Sequence, residues 1–156
     1  MIHVELYEKK SLKLLNLVLD YNGTLAINGK LIEGVAERLN ILEKNIAIHV
    51  ITADTFGKAA DNLHKINCRL TILKSSGQQK QKLEFITGLG RETVVAIGNG
   101  LNDKLMLEQA ALGIVVIQAE GAAIKTLQGA DVVSTNILDA LDLLLNPMRL
   151  KATLRL

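Results

Sequence analysis

Short apolar runs alternate with amphipathic stretches along the chain. The runs have the length of buried strands and lie at residues 14–19, 46–51, 70–73, 94–97, 114–117 and 131–133. Apolar residues recur at helical spacing between them: Val35, Leu39 and Leu42; Leu83, Ile86 and Leu89; Leu105 with residues 108–112; and residues 137–145, which Asn136 can cap. This alternation predicts parallel strands joined by right-handed helical crossovers, and therefore a layered α/β domain.

Two segments depart from this alternation and predict hairpins. Residues 1–19 can hold two strands, with the polar residues 8–11 as the turn between them. The pair Asn28-Gly29 separates two short apolar segments, and Asn-Gly is a strong signal for a two-residue hairpin turn. The second hairpin would form a small flap directly after residues 20–24.

Glycine and proline mark the expected ends of helices. Gly90, Gly113 and Gly129 lie near the ends of helical patterns, where a left-handed cap favours glycine. Pro147, the only proline, is expected to end the last helix, and a short basic tail follows it.

Composition narrows the class of protein. A chain of 156 residues without repeats or an interdomain linker predicts one domain over residues 1–156. A net charge of +2 and an aromatic content of 3% argue against a nucleic-acid partner. The apolar runs are shorter than a membrane span, the N-terminus does not resemble a signal peptide, and the single Cys68 fits a reducing compartment. We therefore expect a cytoplasmic protein with no membrane partner.

The first candidate for chemistry follows the run 17–19. Asp20 ends this run and is followed by Asn22, Gly23 and Thr24. Ligands of open α/β sheets bind at the carboxyl ends of strands, and a carboxylate there can attack a phosphoryl group. Gly23 would let backbone amides approach an anion closely. The alternative is a simple turn in which Asp20 caps its own loop.

Two further candidates follow along the chain. Thr52 follows the run 46–51 and precedes a helix start, where a hydroxyl can bind phosphate oxygens. Taken alone, this segment is better explained by Asp54 or Thr55 acting as an ordinary N-cap of the helix. Lys80 or Lys82 lies near the start of the helix that runs to Leu89, where it would balance a phosphate and a nucleophile. A single lysine is otherwise more often solvated.

The fourth candidate is the glycine-rich segment 98–103, which follows a strand and opens a helix. Asp103 offers a hard oxygen ligand for Mg²⁺, and Asn99 offers a carbonyl oxygen. The alternative is a glycine-rich turn in which Asn102 or Asp103 caps the helix.

Together, the order and spacing of these four segments resemble the haloacid dehalogenase (HAD) superfamily of phosphotransferases. Asp20-Tyr21-Asn22-Gly23-Thr24 is similar to its first motif, Asp-x-Asp-Gly-Thr. Thr52 matches the second motif and Lys82 the third, with Lys80 in reserve, and residues 98–103 resemble Gly-Asp-Gly-x-Asn-Asp. The resemblance implies a three-layer, Rossmann-like (HAD-like) parallel sheet with helices on both faces and a small β-hairpin flap.

Within the superfamily the chain resembles the phosphorylation domain of P-type ATPases and its small soluble relatives. Thr52-Ala53-Asp54 echoes their Thr-Gly-Asp signature, and residues 110–114, 120–123 and 130–133 echo the stretch after the fourth motif. The short intervals between motifs leave no room for a cap domain. Members without a cap tend to act on large substrates or use a neighbouring subunit as a lid, so we expect a homo-oligomer formed through the hairpin flap.

The resemblance also assigns roles to residues of this sequence. The expected catalytic residues are Asp20, Asn22, Thr52 and Lys82, with Asp20 as the nucleophile. The expected phosphate-binding residues are Asn22, Gly23, Thr52, Ala53, Lys82 and Asn102. The expected ligands of Mg²⁺ are Asp20, the backbone carbonyl of Asn22, Asn99 and Asp103.

Two asparagines depart from the family pattern. Asn22 replaces the acid that protonates the leaving group and then activates water, and losing such help typically costs 10²–10⁴-fold in rate. Asn99 replaces a metal-binding Asp, which predicts weaker Mg²⁺ binding. We therefore expect a slow Mg²⁺-dependent phosphatase, a phosphomonoesterase or acyl phosphatase, with a phosphorylated substrate of unknown identity. The alternatives are a phosphate-binding or protein-interaction module without turnover and, less consistent with the motif order, a receiver-like switch.

Overall fold

The computed structural model describes residues 1–7, 10–54 and 57–155 of the chain. The strands are Ile2–Glu5 (β1), Ser11–Leu14 (β2), Asn16–Asp20 (β3), Ala26–Ile27 (β4), Lys30–Leu31 (β5), Ala47–Thr52 (β6), Arg69–Ile72 (β7), Val94–Gly98 (β8), Leu112–Val116 (β9) and Val132–Ser134 (β10). The α-helices are Val35–Leu42 (α1), Ala59–Leu63 (α2), Gln78–Leu89 (α3), Lys104–Gln109 (α4), Ile124–Gly129 (α5), Ile137–Leu145 (α6) and Pro147–Thr153 (α7).

Six strands form the central parallel sheet, in the order β10-β9-β8-β3-β6-β7. The predicted layered α/β fold is therefore confirmed, and each of the six predicted strands is present within two residues of its expected bounds. β3 lies in the middle, between β8 and β6, and pairs with both. Its residues 17–20 are buried because both faces of the sheet are covered.

Helices cover the sheet on both faces because side chains alternate along each strand. Leu17 and Leu19 of β3 belong to the larger apolar cluster, to which α1, α2, α6 and α7 contribute. Val18 points the other way, into a smaller cluster with buried residues of α3 and α4. The continuous apolar composition of the strands thus supplies two cores, one on each side of the sheet.

Both predicted hairpins are present. β1 and β2 pair antiparallel ahead of the sheet, although residues 8 and 9 of the predicted turn lie outside the described residues. β4 and β5 form the flap, and both turn residues have positive φ, 51° at Asn28 and 74° at Gly29. Positive φ at both central positions defines a type I′ turn, which is why Asn-Gly occurs here.

The structure corrects three expectations about glycine and helix ends. Gly90 caps α3 with a φ of 83° as predicted, but neither Gly113 nor Gly129 has positive φ. Gly113 lies within β9, where an added Cβ would overlap the backbone oxygen of Leu107. The helix expected to continue to Leu112 ends earlier, at Gln109. Close approach of a helix to the sheet, rather than a cap, therefore requires glycine at position 113.

The end of the chain also differs from expectation. Pro147 ends α6, but it is also the first residue of α7, where its missing N–H costs nothing. The basic residues Arg149 and Lys151 are therefore helical rather than part of an irregular tail. For the short helices α2 and α5 the sequence indicates only a start after Thr52 and an end near Gly129, because neither helix offers enough residues for a periodic pattern.

No cap domain interrupts the described part of the chain. Between β3 and β6 lie only the flap and α1, and α2 is the only helix described between β6 and β7. None of the helices described is long and apolar enough to cross a membrane.

Candidate active site

The candidate site lies at the carboxyl edge of the central sheet. Three adjacent strands, β6, β3 and β8, end there at Thr52, Asp20 and Gly98. Parallel pairing aligns these ends, so residues that are 32 and 78 positions apart from Asp20 in sequence become neighbours in space. Three of the four segments singled out in the sequence therefore meet at one place.

Lys82 joins two of these segments. Its ammonium donates to Oδ1 of Asp20 at 2.6 Å and to Oδ1 of Asp103 at 2.5 Å. The side chain is completely buried, which is rare for lysine unless the charge is paired. It is also the side chain of α3 that reaches through to the sheet edge, whereas Lys80 is exposed and pairs with Glu84.

Burial and charge shift the pKa values of this trio. Burial raises the pKa of Asp20 to about 6, and the carboxylate of Asp103 adds to the rise although Lys82 opposes it. Burial alone would discharge Lys82, but two carboxylates outweigh it and raise the pKa of the lysine above its ordinary value. The two carboxylates that share the Lys82 ammonium therefore hold it in its charged form. Asp20 remains mostly ionised at neutral pH while keeping the basicity of a good nucleophile.

Thr24 connects the first segment to the fourth. Its hydroxyl lies 3.2 Å from Oδ2 of Asp20 and 3.2 Å from Oδ1 of Asn99, and the residue is completely buried. The amide of Asn99 donates in turn to the backbone oxygen of Gly121 at 3.0 Å. These contacts fix the Asn99 carbonyl oxygen beside the Asp20 carboxylate.

The glycine-rich segment folds around the side chain of Asp103. Its Oδ2 accepts from the backbone N–H groups of Asn99 and Gly100, both at 2.9 Å, while Oδ1 faces Lys82. An added Cβ at Gly98 would lie 2.5 Å from Oδ2 of Asp103, so only glycine fits there. Asp103 therefore closes the turn that precedes it and contacts the site as well, but its side chain makes no capping hydrogen bond to α4.

Thr52 is also buried at the sheet edge. Its Oγ1 accepts from the backbone N–H of Asp54 at 2.9 Å, which leaves the hydroxyl proton available to donate. Asp54 has a φ of 47°, and its Oδ1 accepts from the N–H groups of Lys58 and Ala59 at the start of α2. Asp54 thus caps this helix, as the alternative for this segment predicted, while Thr55 lies outside the described residues.

The remaining predicted residues lie around this centre. Ala53 follows Thr52 and is half-buried, and Asn102 donates from its amide to Oε1 of Gln78 at 2.8 Å. Asn22 has a buried side-chain oxygen, Oδ1, without a hydrogen-bond partner among the described residues. A buried acceptor of this kind costs free energy unless a ligand or water satisfies it.

Gly23 lies under the polar side chains of the site. Its φ is 79°, and an added Cβ would meet Nδ2 of Asn99 at 2.5 Å and Oε2 of Glu120 at 2.9 Å. The glycine therefore lets the backbone of residues 22–24 pass directly beneath these groups. Position 23 accepts no other residue without displacing them.

Three residues of the site were missed by the sequence analysis. Gln118 donates from Nε2 to the backbone oxygens of Gly23 and Thr24, at 3.0 and 2.9 Å. Glu120 lies over Gly23, as described above. Asn62 donates to the hydroxyl of Tyr21 at 2.7 Å and to the flap at Gly29. Gln118 and Asn62 lie in a loop and a short helix without a local pattern, and the resemblance noted for residues 120–123 assigns no role to Glu120, so the tertiary structure is needed to reveal all three.

The site offers oxygen donors suited to a hard cation, but few of them are charged. Carboxylates of Asp20 and Asp103 and the carbonyl oxygen of Asn99 lie together. The unpartnered Oδ1 of Asn22 adds a fourth oxygen to this part of the molecule. Across the described ranges, no group of three His, Cys, Asp or Glu side chains is placed to hold one metal ion. The donor set thus fits Mg²⁺ in kind and is low in charge.

Sequence comparison finds two archaeal relatives. The chain is 49% identical over 86 residues to the uncharacterized protein MJ0073 of Methanocaldococcus jannaschii, covering 92% of that protein and 53% of this chain. It is 51% identical over 39 residues to the uncharacterized protein MJ0072 of the same organism, covering 89% of that protein and 25% of this chain. No family model matches the sequence.

Structure comparison confirms the HAD fold. A HAD superfamily (subfamily III A) hydrolase from Legionella pneumophila is similar with a TM-score of 0.71 and 19% identity, over 90% of this chain and 87% of that chain. The 3-deoxy-D-manno-octulosonate 8-phosphate phosphatase of Moraxella catarrhalis, solved with magnesium, phosphate and KDO, gives a TM-score of 0.68 and 16% identity over 90% of both chains.

A membrane pump contains the same fold as one of its parts. A zinc-transporting PIB-type ATPase matches with a TM-score of 0.63 and 19% identity, over 79% of this chain and 20% of that chain. The similarity to P-type ATPases noted in the sequence therefore extends to the fold.

Proposed function

Because the chain belongs to the family of the archaeal protein MJ0073 and has the HAD fold, we propose that it is a slow Mg²⁺-dependent phosphatase acting through an aspartyl phosphate on Asp20. The observation that carries this proposal is the buried trio in which the Lys82 ammonium bridges Asp20 and Asp103. A buried, charged lysine beside a carboxylate of raised pKa at a strand end is typical of a catalytic centre. The phosphatase among the structural neighbours supports the same reaction class.

The first step would transfer a phosphoryl group to Asp20. One carboxylate oxygen of Asp20 forms a bond to phosphorus while the bond to the leaving oxygen breaks, and the leaving group departs with the electron pair. Lys82 would neutralise charge on the transferred group, and the hydroxyl of Thr52 would donate to one of its oxygens.

The second step, hydrolysis of the aspartyl phosphate, would be slow. It requires a base to take a proton from the attacking water, and Asn22 cannot do so. Leaving groups that need no proton, such as acyl or activated aryl phosphates, would be accepted in the first step. The phosphoenzyme would therefore form faster than it breaks down.

The residues that would hold Mg²⁺ are Asp20, the backbone carbonyl of Asn22, Asn99 and Asp103. When bound, the ion would offset the repulsion between the carboxylates and the incoming phosphate. Their oxygens are of the correct type, and the buried Oδ1 of Asn22 leaves an acceptor to be satisfied at this edge.

The test is intact-mass analysis after exposure to acetyl phosphate, with and without Mg²⁺. We expect a persistent mass increase of one phosphoryl group that needs Mg²⁺ and is absent from Asp20→Ala. Turnover of p-nitrophenyl phosphate should be measurable but slow in the wild type and absent from the variant. Equal labelling and equal turnover of the two proteins would contradict the proposal.

A second candidate function is a phosphate-binding or protein-interaction module without turnover. It is favoured by the two asparagines, because Asn22 removes the acid–base group and Asn99 removes a metal-binding charge. It predicts that beryllofluoride and Mg²⁺ stabilise the protein against heat while no phosphoenzyme or product forms. Multiple turnover of p-nitrophenyl phosphate would eliminate this candidate.

A further inference from the structure

Glu120 lies over the first segment of the site, although nothing in the four motifs points to it. An ideal Cβ on Gly23 would be 2.9 Å from Oε2 of Glu120 and 2.9 Å from Oδ1 of Asn99. The carboxylate of Glu120 and the amide of Asn99 therefore cover the same face of one glycine. Asn99 in turn shares the Thr24 hydroxyl with Asp20, so Glu120 flanks the side of the site where the Asn99 oxygen lies.

Four hydrogen bonds hold the loop that carries Glu120, three of them to residues of the site. Gln118 binds the backbone oxygens of Gly23 and Thr24 through Nε2, and its Oε1 accepts from the N–H of Ile137 at 2.7 Å. The Asn99 amide binds the backbone oxygen of Gly121. Residues on both sides of Glu120 are thus hydrogen-bonded to the site, which places its carboxylate beside Gly23.

The charges of the site explain why a carboxylate there would matter. Asp20 and Asp103 each carry a negative charge, and Lys82 cancels one of them. Asn99 is neutral, so a single net negative charge faces a divalent cation and a phosphate. Affinity for hard cations depends on the number of charged ligands, so this site is weak without a further carboxylate.

We propose that Glu120 is a positioning residue that supplies the negative charge Asn99 lacks and so strengthens Mg²⁺ binding at the Asp20 site. This inference rests on the proposed function and names a residue outside its motifs. Glu120 acts through the hydration shell of the ion, since Asp20, Asp103 and Glu120 do not form one ligand group among the described residues. Its exposed side chain has room to accept hydrogen bonds from metal-bound water.

The experiment is a calorimetric titration of the full-length protein with Mg²⁺ alone, which reads metal affinity independently of catalysis. Glu120→Gln keeps the size and hydrogen-bonding groups of the side chain and removes only its charge. We expect it to weaken Mg²⁺ binding by about 10–100-fold, the usual effect of losing a group that orients metal ligands. The matched control is Glu5→Gln, at an exposed glutamate on β1, outside the site. Its affinity should equal that of the wild type.

A rescue variant separates a charge effect from a structural one. Glu120→Asp keeps the negative charge at this position and only shortens the side chain, so it should recover most of the affinity that Glu120→Gln loses. A purely structural role of Glu120 would leave Glu120→Asp at least as weak as Glu120→Gln.

The possible failures are distinguishable. If the wild type binds Mg²⁺ and Glu120→Gln binds it equally well, the role of Glu120 is refuted while the proposed function stands. If the wild type binds no Mg²⁺ at all, both are refuted together.

Discussion

Asp20 is expected to destabilise the protein at neutral pH when no metal is bound. Burial and the neighbouring Asp103 raise its pKa to about 6 from the ordinary value of 3.8, and this rise already includes the attraction of Lys82. A carboxyl whose pKa is higher in the folded chain holds its proton more tightly when folded. Its contribution to stability is therefore largest below the unfolded pKa and is lost as the pH rises through about 6.

Replacing the carboxylate by an amide removes this cost. At about 1.4 kcal/mol per pKa unit, the shift at Asp20 corresponds to roughly 3 kcal/mol at pH 7.5. The same linkage relation gives only about 1 kcal/mol at pH 4.5, where the folded wild type is mostly protonated at this site. Asp20→Asn should therefore be more stable than the wild type by those two amounts, although it cannot form the aspartyl phosphate.

The assay is urea and thermal unfolding followed by circular dichroism at pH 7.5 and pH 4.5, with EDTA present so that no metal offsets the charge. In a chain of this size the gain at pH 7.5 should raise the melting temperature by about 6–12 °C. Glu5→Gln serves as the control for removing one exposed carboxylate, and its change should stay within about 0.5 kcal/mol. A less stable Asp20→Asn at pH 7.5, or an equal gain at both pH values, would refute the reasoning.

Three further predictions follow from the site and its scaffold. Asn22→Asp should speed hydrolysis of the phosphoenzyme by about 10²–10⁴-fold, because it restores an acid–base group. The lifetime of the phosphoryl adduct in intact-mass analysis measures this rate, and an unchanged lifetime would contradict the role of position 22. Lys82→Met should lower the free energy of unfolding by about 3–5 kcal/mol, because it leaves two buried carboxylates without their counter-ion. Urea unfolding at pH 7.5 measures this free energy, and a loss below about 1 kcal/mol would contradict the prediction. Gly113→Ala should destabilise the protein by about 1–3 kcal/mol or more in urea unfolding, because its Cβ would overlap the Leu107 backbone. The control is Gly88→Ala, where an added Cβ meets nothing within 4 Å, and its unfolding should show no loss of stability.

Much of the fold could be predicted because its signals are local. Six apolar runs of strand length bounded the six strands of the sheet, and the Asn28-Gly29 pair defined the flap turn. Asn136 was identified as a cap from its position alone, and its Oδ1 accepts from the N–H of Asp139 at 2.8 Å. Each of these features depends on residues within a few positions of one another.

Where a feature depends on packing between distant segments, the prediction from sequence is wrong or missing. The position of Gly113 in the sequence predicts a helix cap, yet this glycine allows α4 to approach β9. The sequence predicts a tail after Pro147, yet this proline also begins α7. A sequence pattern shows where a glycine or proline is required, but the tertiary structure shows which neighbouring segment requires it.

The candidate site likewise combines local signals with contacts between distant segments. Polar residues that follow apolar runs identify Asp20, Thr52, Asn99 and Asp103 as candidates from the sequence alone, and the helix after residue 77 adds Lys80 or Lys82. The contact of Lys82 rather than Lys80 with Asp20 comes from tertiary packing, because it depends on which face of α3 is buried against the sheet. The tertiary structure also brought Glu120 over Gly23, since loops from β3 and β9 have no shared signal in the chain and meet only when parallel strands align their carboxyl ends.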